Sequence, residues 1–474
     1  MKHMFGLKRS AFEKNGFWFV LVLIVFLIHL LTSRYNELYH DAALYRFFAK
    51  SFNNNGSFSL FNYTSKLRGY FFPLLNYPIT LFFGEGLEVA KKEIVAFKVL
   101  GALYAAAIFG AVVPKLWTII SGKSHLSWTS RLFFALSGFL FWRDYFNFPL
   151  SDFPALLVLF LALLTAYNSR NNLGGLIAGA LSAAALYTRP IYILSIPFII
   201  ALMLYPYMKH SCRMLMHRAG LAIVLFATGF TLVAIPQILI NYYNFNSGSI
   251  LVISESSNYM VDGKPNLFLW QLNTGLKVQR YETNVGDDYP DAQVIFNDLS
   301  GQTMLKRSNI STLNSYYDYM IFVLERPLDM LLLYARHIFN GIDLLYTTPY
   351  LKNVHDETFS IAFFNYTYLF VAMLVIVSAR KFLGWPQWLA LGAILLPCAA
   401  CIPLTMESRF LLPLHVLLCA IACFGWPLHW SWHNLARPQW IKLVSCYAVF
   451  LLICFMLSAN TQATLHLATK IIQP

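Results

Sequence analysis

The stretch FWFVLVLIVFLIHLLTS, residues 17–33, decides the fold class of this chain. It holds no Asp, Glu, Lys or Arg, and it approaches the ~20 apolar residues that a membrane-spanning helix requires. A basic segment precedes it (Lys2, Lys8, Arg9 and Lys14), and no small-x-small cleavage site follows it. We therefore predict a retained signal anchor whose N-terminus lies in the cytoplasm, and not a cleaved signal peptide.

Similar apolar runs recur along the whole chain. Hydrophobic residues make up 58% of it and charged residues only 12%, whereas a soluble protein carries about 25% charged residues. We predict an all-α polytopic membrane protein, a single integral-membrane domain over residues 1–474, with about eleven transmembrane helices and amphipathic helices in the outer loops. The expected spans cover residues 17–33, 94–113, 130–142, 153–167, 173–188, 190–207, 219–240, 360–379, 386–404, 410–427 and 441–459.

The distribution of charge predicts the orientation. With the N-terminus inside, the short inner loops are rich in Lys and Arg, as the positive-inside rule requires, and every acidic residue except Glu13 lies on the outer side. The segments 34–93 and 241–359 and the C-terminus are then outside, and the expected location is a bacterial inner (plasma) membrane. The net charge of +13 is explained by this topology and by contact with membrane lipid. Nucleic acid is not an expected partner, because the chain has no basic soluble domain.

Both long outer segments show helical periodicity. In the first, an apolar stripe recurs at spacings of three and four (Leu38, Ala42, Tyr45, Ala49 and Phe52), which predicts an amphipathic surface helix with Glu37 and Asp41 together on its adjacent face. In the second, LERPLDMLLLYARHIFNGIDLLYTTPY (residues 324–350) predicts an amphipathic helix that rests on the bilayer, with Pro327 in its first turn. A twelfth span is the alternative, but its charged residues would cost about 2.5–3.5 kcal/mol each near the midplane.

Acidic and basic side chains collect at the outer ends of the predicted spans, and these are the candidate site residues. They are Glu37, Asp41 and Arg68; Arg143, Asp144 and Asp152; Arg189; and Glu407 and Arg409. Any one of them alone could simply extend to the headgroups. Asp152, however, is followed by a wholly apolar run, so a carboxylate there needs a counter-charge or a functional reason. His40 beside Asp41 is too little for a metal site. The cofactor is unknown: participation of a divalent cation stays open, although the sequence does not indicate one.

Five short motifs at these positions carry a resemblance to a known family. They are HDAALY (40–45), RGYFFP (68–73), LSDFPALL (150–157), TRP (188–190) and ESRFLLPL (407–414). Their order resembles the GT-C superfamily of integral-membrane glycosyltransferases, and is closest in style to its protein O-mannosyltransferase and lipid A aminoarabinose transferase branch. The resemblance covers residues 1–240 and, more loosely, 386–428. It departs from the family at His40-Asp41, where many members have paired acids.

The resemblance implies a GT-C-type helical bundle that transfers a sugar from a polyprenyl-phosphate carrier to a hydroxyl of a glycan, lipid or protein on the outer face. Asp41 matches the catalytic acidic residue of the first outer loop, Asp152 the second acidic motif, and Arg68 the basic residue that faces the carrier phosphate. We therefore expect Asp41 and Asp152 to be catalytic; the residues expected to bind substrate are Glu37, Arg68, Arg143, Asp144, Arg189, Glu407 and Arg409. Polyprenyl phosphate is already a good leaving group, so one carboxylate base and cations for the phosphate charge suffice. One base without an enzyme nucleophile implies a single, inverting displacement.

Two other functions stay open. An envelope polysaccharide polymerase or ligase would also use arginines of the outer loops, with less need of an aspartate in the first loop. A lipid-linked sugar transporter or flippase would place ionisable residues near the membrane midplane and often shows duplicated halves. In this chain the span interiors carry almost no charge, which favours chemistry at the membrane surface over a translocation path.

Overall fold

The computed structural model describes residues 15–54, 56–83, 87–168, 172–208, 213–355, 357–378, 383–426 and 436–466. It is 72% helical, so the predicted helical class is confirmed. The basic segment before the first span lies outside the described residues. The chain divides into two compact units, Met1–Ser254 with Lys381–Pro397, and Glu255–Arg380 with Cys398–Pro474. The expectation of a single domain stays a prediction.

The helices of the two units follow in chain order. The first unit contains α1 (Asn15–Thr32), α2 (His40–Ser51), α3 (Phe71–Phe83), α4 (Leu87–Ala105), α5 (Val113–Ser121), α6 (Trp128–Trp142), α7 (Asp152–Tyr167), α8 (Asn172–Thr188), α9 (Ile196–Met208) and α10 (Arg213–Phe245). The second contains α11 (Leu267–Gly275), α12 (Leu299–Arg307), α13 (Tyr316–Glu325), α14 (Pro327–Ile342) and α15 (Phe359–Ser378). The boundary between the units falls within α16 (Trp385–Cys401), and α17 (Leu412–Phe424) and α18 (Arg437–Gln462) complete the second unit.

Within the described ranges, six helical stretches are long and apolar enough to cross a membrane: Asn15–Thr32, Lys91–Ser121, Pro190–Tyr207, His217–Phe245, Phe359–Ser378 and Arg437–Gln462. They are consistent with the predicted membrane protein. The predicted count of about eleven spans is not confirmed. The remaining predicted spans form helices such as α6, α7 and α8, which are 15, 16 and 17 residues long. At 1.5 Å per residue these are shorter than the ~30 Å hydrocarbon core.

The structure is not all-α, because short strands occur in both units. The first unit holds the hairpin β1 (Asn53–Asn54) and β2 (Ser57–Phe58). In the second unit, β3 (Met260–Val261) pairs with β4 (Lys264–Pro265). A three-stranded sheet has the order β6-β5-β7, formed by β5 (Val278–Asn284), β6 (Gln293–Asn297) and β7 (Tyr350–Leu351). β5 is antiparallel to β6 and parallel to β7.

α7 is the helix that positions Asp152 in the first unit. Ten of its 16 residues are buried, beginning with Asp152 itself. It packs against α8 and α9, so its side chains are held on several sides. Because α8 ends at Thr188, directly before Arg189, the start of α7 and the end of α8 bring an acid and a base to the same place.

Candidate active site

Helix α2 begins at His40, two residues after Leu38, where the predicted apolar stripe begins. Its first residue, His40, has a φ of 38°, in the left-handed region that residues other than glycine seldom adopt. Glu37 therefore precedes the helix and is exposed, and the prediction that it shares a helical face with Asp41 is wrong. It lies beside Tyr39, where burial and the Glu37 carboxylate together raise the pKa of the phenol. The inward stripe of Ala42, Tyr45 and Ala49 is confirmed.

Asp41 and Arg68 form an ion pair that solvent can reach. The Arg68 Nη2 atom donates to Asp41 Oδ1 at 3.2 Å, and the two side chains are 25% and 39% exposed in the order Asp41, Arg68. The guanidinium also lies over the ring of Tyr45, 5.8 Å from its centroid. A carboxylate and a guanidinium thus meet where a substrate could approach both.

The residue after Arg68 explains how this pair is brought into place. A Cβ atom on Gly69 would lie 2.1 Å from the Tyr187 carbonyl oxygen, which no side chain could tolerate. Glycine therefore permits the Arg68 segment to approach the last turn of α8 closely. The Tyr63 hydroxyl fixes the same segment by donating to the Arg68 carbonyl at 2.9 Å.

Asp152 and Arg189 form the second acid–base pair of the first unit. Asp152 is the first residue of α7, where the helix dipole stabilises a negative charge. Its side chain is only 2% exposed and accepts a hydrogen bond from Arg189 Nη1. The counter-charge that the sequence required for Asp152 is thus Arg189, whose own side chain is 20% exposed. Asp152 is the buried member of the pair and Arg189 the more accessible one.

Tyr45 connects the two pairs. Its hydroxyl donates to Ser151 Oγ at 2.9 Å, and Ser151 directly precedes Asp152. Sequence reasoning placed Tyr45 only in an apolar stripe. A tyrosine that faces inward needs a hydrogen-bond partner for its hydroxyl. This requirement could have identified Tyr45 as a member of the site. We name the connected set the Asp41 cluster: Asp41, Tyr45, Arg68, Ser151, Asp152 and Arg189.

The other predicted residues lie in separate arrangements. Asp144 Oδ1 is 2.8 Å from His29 Nε2, at the end of α1, and Arg143 Nε is 3.8 Å from the second Asp144 oxygen. Arg143 also donates to the Leu140 carbonyl at 3.2 Å. In the second unit, Glu407 and Arg409 pair with each other. Each predicted acid–base group contains an ion pair, but Glu37 lies outside the first pair, and Asp152 pairs with Arg189 instead of joining Arg143 and Asp144. The assignment of these residues to a site stays a prediction.

The second unit also contains a buried charge network that the sequence did not reveal. Arg280 Nε donates to Glu282 Oε1 at 2.8 Å, and Nη1 lies 3.4 Å from Asp343 Oδ2. Asp343 accepts further hydrogen bonds from the hydroxyls of Tyr366 at 2.7 Å and Ser458 at 2.8 Å. Burial alone would lower the pKa of Arg280, but the Glu282 and Asp343 carboxylates outweigh it and raise the pKa. We name these five residues the Arg280 network.

Metal binding and similarity to other proteins complete the description of the candidate site. In the part of the chain that the structure describes, no group of three or more His, Cys, Asp and Glu side chains could hold a metal ion. Comparison with protein-family models, with curated proteins and with solved structures gives no match to this chain. Function is therefore inferred from the geometry and chemistry of the Asp41 cluster.

Proposed function

We propose that this protein is an inverting glycosyltransferase that moves a sugar from a polyprenyl-phosphate carrier to a hydroxyl acceptor, with Asp41 as the general base. The proposal includes the predicted orientation, with the reaction on the outer face of a bacterial inner membrane. It follows the resemblance of HDAALY and its companion motifs to the GT-C superfamily. The observation that carries it is the solvent-accessible contact between Asp41 and Arg68 at 3.2 Å.

The reaction needs one proton acceptor and one stabiliser of negative charge. The Asp41 carboxylate takes the proton of the acceptor hydroxyl, whose oxygen forms a bond to the anomeric carbon. The bond from that carbon to the phosphate oxygen breaks, and polyprenyl phosphate leaves with the electron pair. A single displacement of this kind inverts the anomeric configuration. A positioned base contributes about 10²–10⁴-fold to such a rate.

The ion pair suits this movement of charge. Before the reaction, Arg68 balances the Asp41 carboxylate. Once Asp41 has taken a proton it is neutral, while the departing phosphate gains negative charge. The guanidinium can then stabilise the phosphate through its planar, forked donors. The same cation thus serves the base first and the leaving group later, without a large movement of its side chain.

Asp152 has a different role from the one implied by the family motif alone. A carboxylate that is 2% exposed and bonded to Arg189 offers no face to an acceptor hydroxyl. We assign it as a positioning residue, which holds Arg189 so that its more exposed guanidinium can bind the carrier phosphate. Tyr45 and Ser151 join this pair to the base through their hydrogen bond of 2.9 Å.

The test uses full-length protein in liposomes, supplied with a panel of synthetic short-chain polyprenyl-phosphate hexoses and an envelope extract of lipids and glycans. Mass spectrometry measures the release of polyprenyl phosphate, and NMR assigns the anomeric configuration of the product. We expect release that requires both protein and acceptor, with inversion. Controls omit the acceptor or the protein.

Three outcomes would contradict the proposal. Retention of configuration excludes a single displacement with one base. A product with many repeat units per acceptor indicates the alternative polymerase or ligase. Movement of intact donor across the vesicle membrane, with no bond broken, indicates the transporter or flippase.

A further inference from the structure

A cavity in the second unit, lined by residues outside the Asp41 cluster, combines charged and apolar walls. Its volume is about 430 Å³, and residues of α12 and α14 line it. The charged side chains on its walls are Arg307, Arg326, Asp329 and Arg336. Its apolar lining includes Leu299 and Leu332, both of which are also exposed. The cavity therefore opens at an apolar surface.

The two walls are held together by a buried ion pair. Asp298 caps α12 by accepting from the Gly301 amide at 2.7 Å. The same carboxylate accepts from Arg336 of α14 through both of its oxygens, at 2.8–2.9 Å, and its side chain is 1% exposed. Such a forked contact fixes geometry as well as charge. The cavity is thus a built feature, and Arg336 is a wall residue whose charge is already balanced.

The remaining charged groups offer both signs to a ligand. Among the described residues, no ion pair of the exposed Arg307 side chain is found. Arg326 pairs with Glu325 at 2.8 Å and stacks on Phe322 at 4.4 Å, which orients its guanidinium. Asp329 lines the same cavity as a carboxylate. A ligand that carried only negative charge would meet Asp329 unfavourably, whereas a zwitterion would match both signs.

An exposed apolar face adjoins the cavity. On α14, Leu328, Leu331 and Leu332 point outward at helical spacing, and Leu324 of α13 is exposed as well. The inward side of α14 is separate and packs on the unit through residues such as Met330 and Leu333. An amphipathic helix with outward leucines suits the acyl region of a bilayer. Leu332 belongs to both the face and the cavity wall.

We propose that this cavity binds the headgroup of a zwitterionic phospholipid of the phosphatidylethanolamine type. The phosphate lies against Arg307 and Arg326, the primary ammonium against Asp329, and the acyl chains along the α13–α14 leucines. Arginine forks match phosphate oxygens, and a compact ammonium can donate to a carboxylate. The site anchors the second unit to the membrane and is independent of the proposed transferase reaction.

Binding of short-chain lipids to the delipidated full-length protein in detergent tests the proposal. Native mass spectrometry compares dioctanoyl phosphatidylethanolamine, dioctanoyl phosphatidylglycerol and free phosphoethanolamine. For the wild-type protein we expect phosphatidylethanolamine to bind about tenfold more tightly than phosphatidylglycerol, which lacks an ammonium for Asp329. Free phosphoethanolamine should bind at least about tenfold more weakly than the lipid, because it buries no acyl chain.

Three variants assign the contacts. The double variant Arg307→Gln/Arg326→Gln should lower the affinity for both lipids by about tenfold or more. Asp329→Asn should lower the affinity for phosphatidylethanolamine alone and remove the preference for it over phosphatidylglycerol. The matched control Lys306→Gln removes an exposed cation of α12 that does not line the cavity, and should leave both affinities within about twofold.

Specific outcomes would overturn the proposal. If the wild-type protein binds the two lipids with equal affinity, the site does not select a zwitterionic headgroup and the proposal is wrong. This result needs no variant. Free phosphoethanolamine that binds as tightly as the lipid indicates a soluble phosphate ester. An effect of Lys306→Gln as large as that of the double variant indicates only general surface charge.

Discussion

Asp41 and Asp343 are both aspartates within reach of an arginine, but their surroundings differ in almost every other respect. Asp41 touches Arg68 at 3.2 Å, and a quarter of its side chain is open to solvent. Asp343 is fully buried and receives bonds from Tyr366 and Ser458 in addition to Arg280. The first carboxylate is partly open to solvent, where a substrate hydroxyl can approach it, and the second is enclosed by protein donors. Accessibility, and not residue type, distinguishes a candidate base from a structural acid.

The energetics of the two regions differ accordingly. An exposed ion pair contributes about 0–1 kcal/mol to the free energy of unfolding, so the Asp41–Arg68 pair adds little to stability. A buried pair from which one partner is removed leaves an uncompensated charge and costs about 3–5 kcal/mol. Substitutions in the Arg280 network should therefore act on folding, and substitutions of Asp41 and Arg68 should act on turnover.

The largest expected effect on stability is that of Arg280→Met. It leaves the Glu282 and Asp343 carboxylates buried without their cation, and we expect a loss of about 3–5 kcal/mol in the free energy of unfolding. Unfolding of the detergent-solubilised protein by calorimetry measures it. The control Lys264→Met removes an exposed cation of β4 and should change stability by less than about 0.5 kcal/mol. Equal stability of the two variants would show that the network is not a structural element.

Asp152→Asn should act on donor binding. Arg189 loses its buried anchor, and we expect the KM for the polyprenyl-phosphate donor to rise about tenfold, which corresponds to about 1.4 kcal/mol, with a smaller change in kcat. Initial rates over a range of donor concentrations separate the two constants. If kcat instead falls by about 100-fold or more at unchanged KM, Asp152 is the base and the comparison of exposed with buried acids fails.

Arg68→Lys should have a more moderate effect. A lysine keeps the charge beside Asp41 but cannot form a forked contact with the phosphate, so we expect kcat/KM to fall about fivefold, or about 1 kcal/mol. Arg68→Ala should reduce it further. The control Lys50→Gln removes a cation from the last turn of the same α2 helix that carries Asp41. Full activity of Arg68→Ala would show that Arg68 is not part of the site.

Glu37→Gln should have the smallest effect. Glu37 lies exposed before α2 and not on the face of Asp41, so we expect changes within about 0.5 kcal/mol in stability and about twofold in kcat/KM. The transferase assay and calorimetry measure both. A loss of tenfold or more would return Glu37 to the substrate-binding site that the sequence assigned to it.

Periodicity predicted the elements whose inward residues are apolar. The stripe of Ala42, Tyr45 and Ala49 gave α2, and Pro327 marked the first turn of α14. Strand β5 escaped notice because its inward positions include Arg280 and Glu282. Alternation with polar residues inside is the reverse of the pattern that identifies a strand. The buried charge of Arg280 is explained only when its partner Asp343, directly after α14, is known.

The candidate site was predictable only in part for a related reason. The sequence grouped Asp41 with Arg68 by their place in one outer loop, and it required a counter-charge for Asp152. It could not name Arg189, because the two residues are 37 positions apart on different helices, and no local spacing rule relates them. The count of spans was not confirmed for a different reason: helices such as α7 and α8 end where their apolar runs end, at Tyr167 and Thr188, and so stay shorter than the ~20 residues of a full span.

One paired measurement tests the central claim most directly. Asp41→Asn and Asp343→Asn are made in the full-length protein, and donor turnover per folded molecule is measured together with the free energy of unfolding. We expect Asp41→Asn to lose about 10²–10⁴-fold in turnover at nearly wild-type stability. Asp343→Asn should lose about 1.5–3 kcal/mol of stability, but its folded molecules should turn over the donor at the wild-type rate. Wild-type turnover by folded Asp41→Asn protein would contradict the account.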